Sequence, residues 1–277
     1  MIGQVPARGI LHVGGADAVP FLQALVTNNV EGLAPGHAAY AALLTPQGKY
    51  LHDFFVVPAP GGDGLLLEMQ VERLPDLLRR LTMYKLRSRV TLADRSADWH
   101  VMAFTGDARA DSLPDGAIAF DDPRHPDLGQ RVFWPASSPL PPLNADAADL
   151  DRHRLSLGIP DPARDFEIEK SFMLEVGFDR LNGVDFRKGC YVGQEITARS
   201  KYRGNVRKML TPCTVDGPLP APGTPVTADG KEVGDIRSGA GDRVIAMLRL
   251  DRPEGVLRAG PATLTPDLAP TADAAGE

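Results

Sequence analysis

From about Gly204 the chain carries short strand-like segments with a glycine or aspartate at each reversal: VRKMLTPCTV, then TPVTADGKEVGDIRSGAGDRVIAMLRL. That texture constrains the second part of the molecule most, and it predicts a small β-barrel or compact sheet domain over residues 204–260. The preceding stretch is built differently. Asp17 is placed to cap a helix running to about Val30, with Leu22, Leu25 and Val26 on one face. YAALLTPQGKYLHDFFVV reads as two strands around a turn from Thr45 to Tyr50, built on Pro46 and Gly48. A strand at 65–69 leads into an amphipathic helix near 71–84, with Leu74, Leu77, Leu78 and Leu81 inward. Further strands are expected at WHVMAF and RVFW, a linker at 136–144 (ASSPLPPLN), and a helix from about Asp146 to Leu157 that stops at Gly158. Strand, helix and strand alternate at α+β lengths, so an α/β region over 1–203 precedes the barrel. The polar segment 261–277 reads as a frayed tail.

The formal net charge of −6 argues against a surface coated in positive potential for nucleic acid. Locally the balance inverts: between Asp179 and Lys208 there are eight basic residues against three acids. An anionic ligand or partner would dock there. No apolar run is long enough for a secretory leader or a membrane span, and cytoplasmic residence follows by default. Cys190 and Cys213 are the two cysteines of the chain, which excludes a disulfide scaffold and a self-contained four-cysteine metal site. The six histidines are scattered, with no zinc-site spacing among them.

The densest chemistry lies in Lys188-Gly189-Cys190-Tyr191-Val192-Gly193-Gln194-Glu195. Arg187, Lys188 and a helix start near Gly193 could favour the thiolate of Cys190; the ordinary reading is a small buried hydrophobe. Gly189 and Gly193 permit close backbone approach or positive φ. Gln194 and Glu195 could hydrogen-bond a ligand, or Glu195 could complement the dipole of a helix through Arg199. Arg199, Lys201 and Arg203 could bind an acidic tail or mark a solvated helix end. In a regular strand Asp53 shares a face with Leu51, Phe55 and Val57, with His52 opposite beside Tyr50 and Phe54. Asp53 is then either an acceptor for N–H donors of a ring ligand or a register marker at a solvated edge. Neither a GxxxxGK[ST] phosphate loop nor a dinucleotide fingerprint is present.

LNGVDFRKGCYVGQEITAR, spanning Leu181 to Arg199, resembles the signature of the YgfZ family of folate-binding proteins, which includes mitochondrial factors acting late in [4Fe-4S] protein maturation. TPQGKYLHDF and GKEVGDI…AMLRL fit the same family, so the resemblance covers most of residues 5–250. It implies a fold like that of the glycine-cleavage aminomethyltransferase (T-protein): two interwoven α/β units of ferredoxin-like character, a C-terminal β-barrel, and a channel for tetrahydrofolate or a one-carbon-substituted folate. By the same resemblance Lys188, Gly189, Cys190, Tyr191, Gly193, Gln194 and Glu195 take the motif's places. His52-Asp53 is similar to the T-protein pair whose aspartate contacts the pterin, and retention of that acid resembles the mitochondrial-type branch. The implied function is support of [4Fe-4S] cluster assembly or repair, alongside assembly factors and client enzymes that include radical enzymes of tRNA modification. Cys190 is then at most a transient cluster ligand. The alternative is an aminomethyltransferase moving a one-carbon unit from a lipoyl-bound amine to tetrahydrofolate. Direct tRNA binding and membrane association are not expected, and catalytic turnover is left open.

Overall fold

The computed structural model describes residues 1–204 and 206–267. Two compact units divide the chain, one from Met1–Leu150 with Asp179–Gln194, the other from Asp151–Phe178 with the chain from Glu195 onward.

The first unit contains β1 (Ile2–Gln4), β2 (Arg8–Gly14), α1 (Ala18–Gln23), β3 (Ala39–Leu44), β4 (Tyr50–Pro58), β5 (Leu65–Gln70), α2 (Leu74–Lys85), β6 (Thr91–Asp94), β7 (Trp99–Phe104), β8 (Ile118–Asp121) and β9 (Gln130–Pro135). They form a five-stranded sheet, β3-β4-β5-β2-β6, and a four-stranded sheet, β1-β7-β9-β8. The first strand thus belongs to the sheet completed last, and the chain interweaves the two. All six residues of β3 and the first eight of β4 are buried, as expected of strands covered on both faces. On one face Leu22, Val26, Phe54 and Leu67 pack with Leu74, Leu77 and Leu81 of α2. The other face meets the four-stranded sheet, where Phe55 lies 6.0 Å from Phe120.

The expected hairpin forms, with Thr45 and Lys49 hydrogen-bonded across the turn and Gly48 at φ +74°. The first helix is shorter than its apolar spacing predicts. It ends at Gln23 because Val26 leaves to bridge Leu43 of β3. Asp17 does not cap it through its side chain; its carboxylate binds Arg89. The 136–144 segment carries no helix or strand, and Asn144 ties it to the main chain of Ile2.

Helix α3 (Ala147–Ser156) stops before Gly158, whose φ of +69° suits glycine. The second unit continues through α4 (Pro162–Asp165) and, after α5 (Gln194–Arg203), closes a barrel from β10 (Lys208–Asp216), β11 (Pro225–Ala228), β12 (Lys231–Ala240), β13 (Arg243–Arg249), β14 (Leu257–Ala259) and β15 (Ala262–Pro266). Cys213, Val226, Ile236, Val244 and Leu264 fill its interior. Burial pushes the Cys213 thiol up to about 12, which leaves it an inert core residue. The barrel runs past residue 260, the limit set from the sequence, because β15 pairs with β10 to close it. The expected tail therefore loses 262–266 to a strand, and from residue 268 it lies outside the described residues. No helix among the described residues is long and apolar enough to cross a membrane.

Candidate functional site

The motif segment is sewn onto the connection between α1 and β3 by side chains that the sequence did not single out. Thr27 Oγ1 donates to the carbonyl of Gly183 at 2.6 Å and accepts from the amide of Ala42 at 2.9 Å. The Asn28 amide group donates to Tyr40 O and Asn182 O. A threonine and an asparagine after an apolar helix read as an ordinary helix exit, so only their partners, up to 156 residues away, reveal the role.

Lys188 points back at the same connection. Its ammonium donates to Gln23 O at 2.5 Å and Val26 O at 2.6 Å, and lies 5.2 Å from the centre of the Tyr191 ring. Those carbonyls would otherwise stand at the end of α1 without a helical donor. Desolvation lowers the Lys188 pKa to about 8. The cation expected to act on the thiol therefore anchors the loop. Gly189 has φ +96° and open space where a Cβ would stand. Cys190 is exposed, and Tyr191 is buried. Gly193 has φ +83°, and a Cβ there would fall 2.6 Å from Thr45 O and 3.0 Å from Gly48 Cα. Its required closeness is to the tip of the TPQGKY hairpin, so two separate sequence motifs form one contact. Gln194 opens α5, with Glu195 in its first turn. Glu195 and Arg199, both exposed, belong to the second unit.

Asp53 lies on the face of the five-stranded sheet that meets the four-stranded one. Its carboxylate accepts the Tyr50 hydroxyl at 2.6 Å and the Tyr40 hydroxyl at 2.9 Å, and the residue is 9% exposed. Regular alternation puts Tyr50 on the opposite face and Leu51 beside Asp53; the structure reverses both. Leu43 pairs with His52 and Leu44 with Tyr50, so Leu51 is the extra residue of a β-bulge. The bulge shifts the phase of the strand start and sends Leu51 into the helix-side core. His52 also faces the helix side, where its Nε2 is 2.8 Å from Asp76 of α2. The His52-Asp53 pair is consequently split across the sheet. Burial lowers the His52 pKa to about 4, and its Nδ1 has no hydrogen-bond partner among the described residues. Burial and the neighbouring Asp53 carboxylate raise both tyrosine pKa values, keeping them hydroxyl donors.

Around Asp53 the space between the sheets holds charge the sequence reading missed. Glu68, fully buried in the apolar run LLLEM, is gripped by Arg8 of β2 and Arg131 of β9. Burial opposes its ionisation, but the two guanidinium groups win and bring its pKa down to about 2. Arg131 lies 4.5 Å and Arg124 4.8 Å from the Phe55 ring centre, and Arg124 pairs with Asp122 at 2.7 Å. Below the motif, a cavity of about 540 Å³ is lined by Asn28, Asn29, Pro123, Asp185, Phe186 and Arg187, among others. Amides, an apolar wall, one guanidinium and the carboxylates of Asp179 and Asp185 there can hold a polar molecule by hydrogen bonds. Among the described residues, no group of three or more His, Cys, Asp or Glu side chains could hold a metal ion.

These features define a protein of the T-protein-like fold. The GCVT N-terminal domain model matches residues 5–115, and the CAF17 C-terminal beta-barrel domain model matches residues 207–273. The crystal structure of glycine cleavage system aminomethyltransferase T from Bartonella henselae superimposes with a TM-score of 0.77 over 96% of this chain and 84% of that one; at 12% identity this shows the fold alone. Sequence relatives narrow the class. The iron-sulfur cluster assembly factor IBA57, mitochondrial, of Mus musculus is 34% identical, covering 92% of this chain and 79% of the relative. The Homo sapiens protein of the same name is 33% identical with the same coverage. A homolog from Mycosarcoma maydis is 38% identical, and the match covers 76% of this chain but 56% of that longer protein. The chain belongs to the IBA57 family. These relatives are named mitochondrial proteins, which overturns the expected cytoplasmic residence. That expectation rested on a missing leader or membrane segment, and such an absence specifies no compartment.

Proposed function

We propose that this protein supports assembly or repair of [4Fe-4S] clusters in client enzymes, including radical enzymes of tRNA modification, with Cys190 as the group presented to the cluster and a reduced folate as ligand of the first unit. The observation that carries the reading is an exposed thiol on a glycine-flanked loop, anchored by Lys188 and Gly193, in a chain 34% identical to an iron-sulfur cluster assembly factor over 92% of its length. Ligation of iron by Cys190 releases the thiol proton and forms one Fe–S bond. A [4Fe-4S] cluster held by cysteine takes four thiolates, so the cluster is cargo whose remaining ligands come from an assembly factor or client.

For the folate, Asp53 offers a fit of limited size. Each carboxylate oxygen has two acceptor positions and gives one to a tyrosine, so each keeps one for a ring N–H. When bound, a reduced folate would supply one-carbon chemistry. Asp53 would orient it, and Arg187 and Lys188 of the same unit, with the Gln194 amide, would attract its glutamate carboxylates. Anaerobic calorimetry with tetrahydrofolate, 5,10-methylene-tetrahydrofolate and folic acid tests this half, and saturable binding of reduced folates is expected. The other half is tested by Cys190→Ala in a deletion strain. Rescue of iron-sulfur enzyme activity should be lost with folate affinity unchanged; full rescue, or loss of glycine cleavage with iron-sulfur enzymes intact, would overturn the assembly role.

A further inference from the structure

The C-terminal end of α2 is built against the interests of folding. Leu86, the residue that ends the helix, is 88% exposed and has φ 41° and ψ −107°. Glycine is the residue that relieves a positive φ at this position, and a non-glycine residue there is strained. A leucine in this place gives up both the burial of its side chain and the ease of its backbone. Beside it Met83 is 57% and Tyr84 37% exposed, while the opposite face of the helix is already spent in the core through Leu74, Leu77 and Leu81. Leu86, Tyr84, Arg87, Ser88 and Asp17 line an open hollow of about 750 Å³.

The chain segment around this apolar spot is basic, and the one acid in the hollow's lining, Asp17, is already paired with Arg89. Residues 79–89, RRLTMYKLRSR, contain five cations and no acid, in a chain of net charge −6. Arg79 and Arg80 are paired with Asp76, and Arg89 with Asp17. Lys85 and Arg87 have no ion-pair partner among the described residues, and Arg87 is exposed. We propose that this end of α2 docks an acidic segment of a partner protein that carries an apolar anchor: the anchor covers Leu86 and Tyr84 in the hollow, and the acids pair with Lys85 and Arg87. A concave hollow walled by Leu86 and Tyr84 suits a protruding side chain better than a flat bilayer, which an amphipathic helix meets with a whole apolar face. Single-stranded RNA is held by stacking on several rings, and the spot offers Tyr84 with two aliphatic neighbours.

The test uses the full-length protein and a fluorescein-labelled amphipathic helix of glutamate and leucine, followed by anisotropy. A glutamine–leucine counterpart, phosphatidylcholine–cardiolipin vesicles and a single-stranded RNA oligomer are titrated in parallel. Saturable, salt-sensitive binding of the glutamate peptide is expected, weakened about tenfold or more by Leu86→Gly and by the double change Lys85→Glu, Arg87→Glu. Leu86→Gly should at the same time raise the melting temperature, since strain and exposed apolar surface are both removed. Absent peptide binding, equal binding of the glutamine peptide, affinity unmoved by either variant, or variant-sensitive binding confined to vesicles or RNA would each overturn the proposal.

Discussion

The Asp53 carboxylate accepts two buried tyrosine hydroxyls, and this sets what its removal costs. Asp53→Ala removes the acceptor that both hydroxyls use, and breaking a buried hydrogen bond from one side costs about 1–3 kcal/mol. The variant should therefore lose about 2–4 kcal/mol in urea unfolding as well as folate affinity. Asp53→Asn keeps an acceptor oxygen and should lose about 1 kcal/mol. Equal stability of wild type and Asp53→Ala would show that the tyrosines find water or another acceptor. From the sequence, Asp53 stood out only as a carboxylate among hydrocarbon. Tyr50 was hidden because a single-residue bulge reverses which neighbours share the face of Asp53, and Tyr40 because it lies on the neighbouring strand.

At the scale of elements, the loop from Lys188 to Gly193 is held at two points of different kinds. Lys188 fastens one end to the carbonyls of Gln23, the last residue of α1, and Val26 beyond it, and Gly193 seats the other on the hairpin between β3 and β4. Gly193→Ala meets the carbonyl of Thr45 at 2.6 Å with φ at +83°, so strain and collision add. A loss of about 2 kcal/mol or more is expected, and limited proteolysis near residues 186–192 should accelerate more than global unfolding does. Lys188→Met should release the first end without the collision, giving faster cleavage in the same segment and a smaller stability loss. Proteolysis unchanged in both variants would mean that neither contact fastens the loop. The need for glycine at 193 was legible in the motif; the hairpin it rests on was legible separately. Their contact was not, since neither local pattern encodes a partner nearly 150 residues distant.

For the whole molecule, two buried groups pull stability down in acid, against the opposite pull of Asp165, whose carboxyl pKa burial raises. Glu68 falls from its ordinary 4.5 to about 2 in the folded chain, and His52 from 6.5 to about 4. In both cases the unfolded chain takes up the proton first, so stability declines as pH falls. The His52 contribution is complete above pH 6.5 and is lost toward pH 4; that of Glu68 is complete above pH 4.5 and is lost toward pH 2. Each is on the order of 3 kcal/mol. Urea unfolding at pH 7.5 and pH 5 should show the first decline, and His52→Gln should flatten it; an unchanged slope in that variant would remove His52 from the account. By itself the sequence determined the β3–β4 hairpin, the strands β5, β7 and β9, the helices α2 and α3, the turn glycines, the barrel texture and the family motif, because periodicity and φ preference are properties of neighbouring residues. The strands β1, β2, β6 and β8 it did not mark. Only the tertiary structure decided that Val26 leaves its helix for a strand, that Lys188 anchors a loop while Cys190 stands exposed, and that Glu68 is buried between arginines from two sheets. Those outcomes depend on which distant groups the topology brings within hydrogen-bonding reach, and on the cost of leaving any of them buried without a partner.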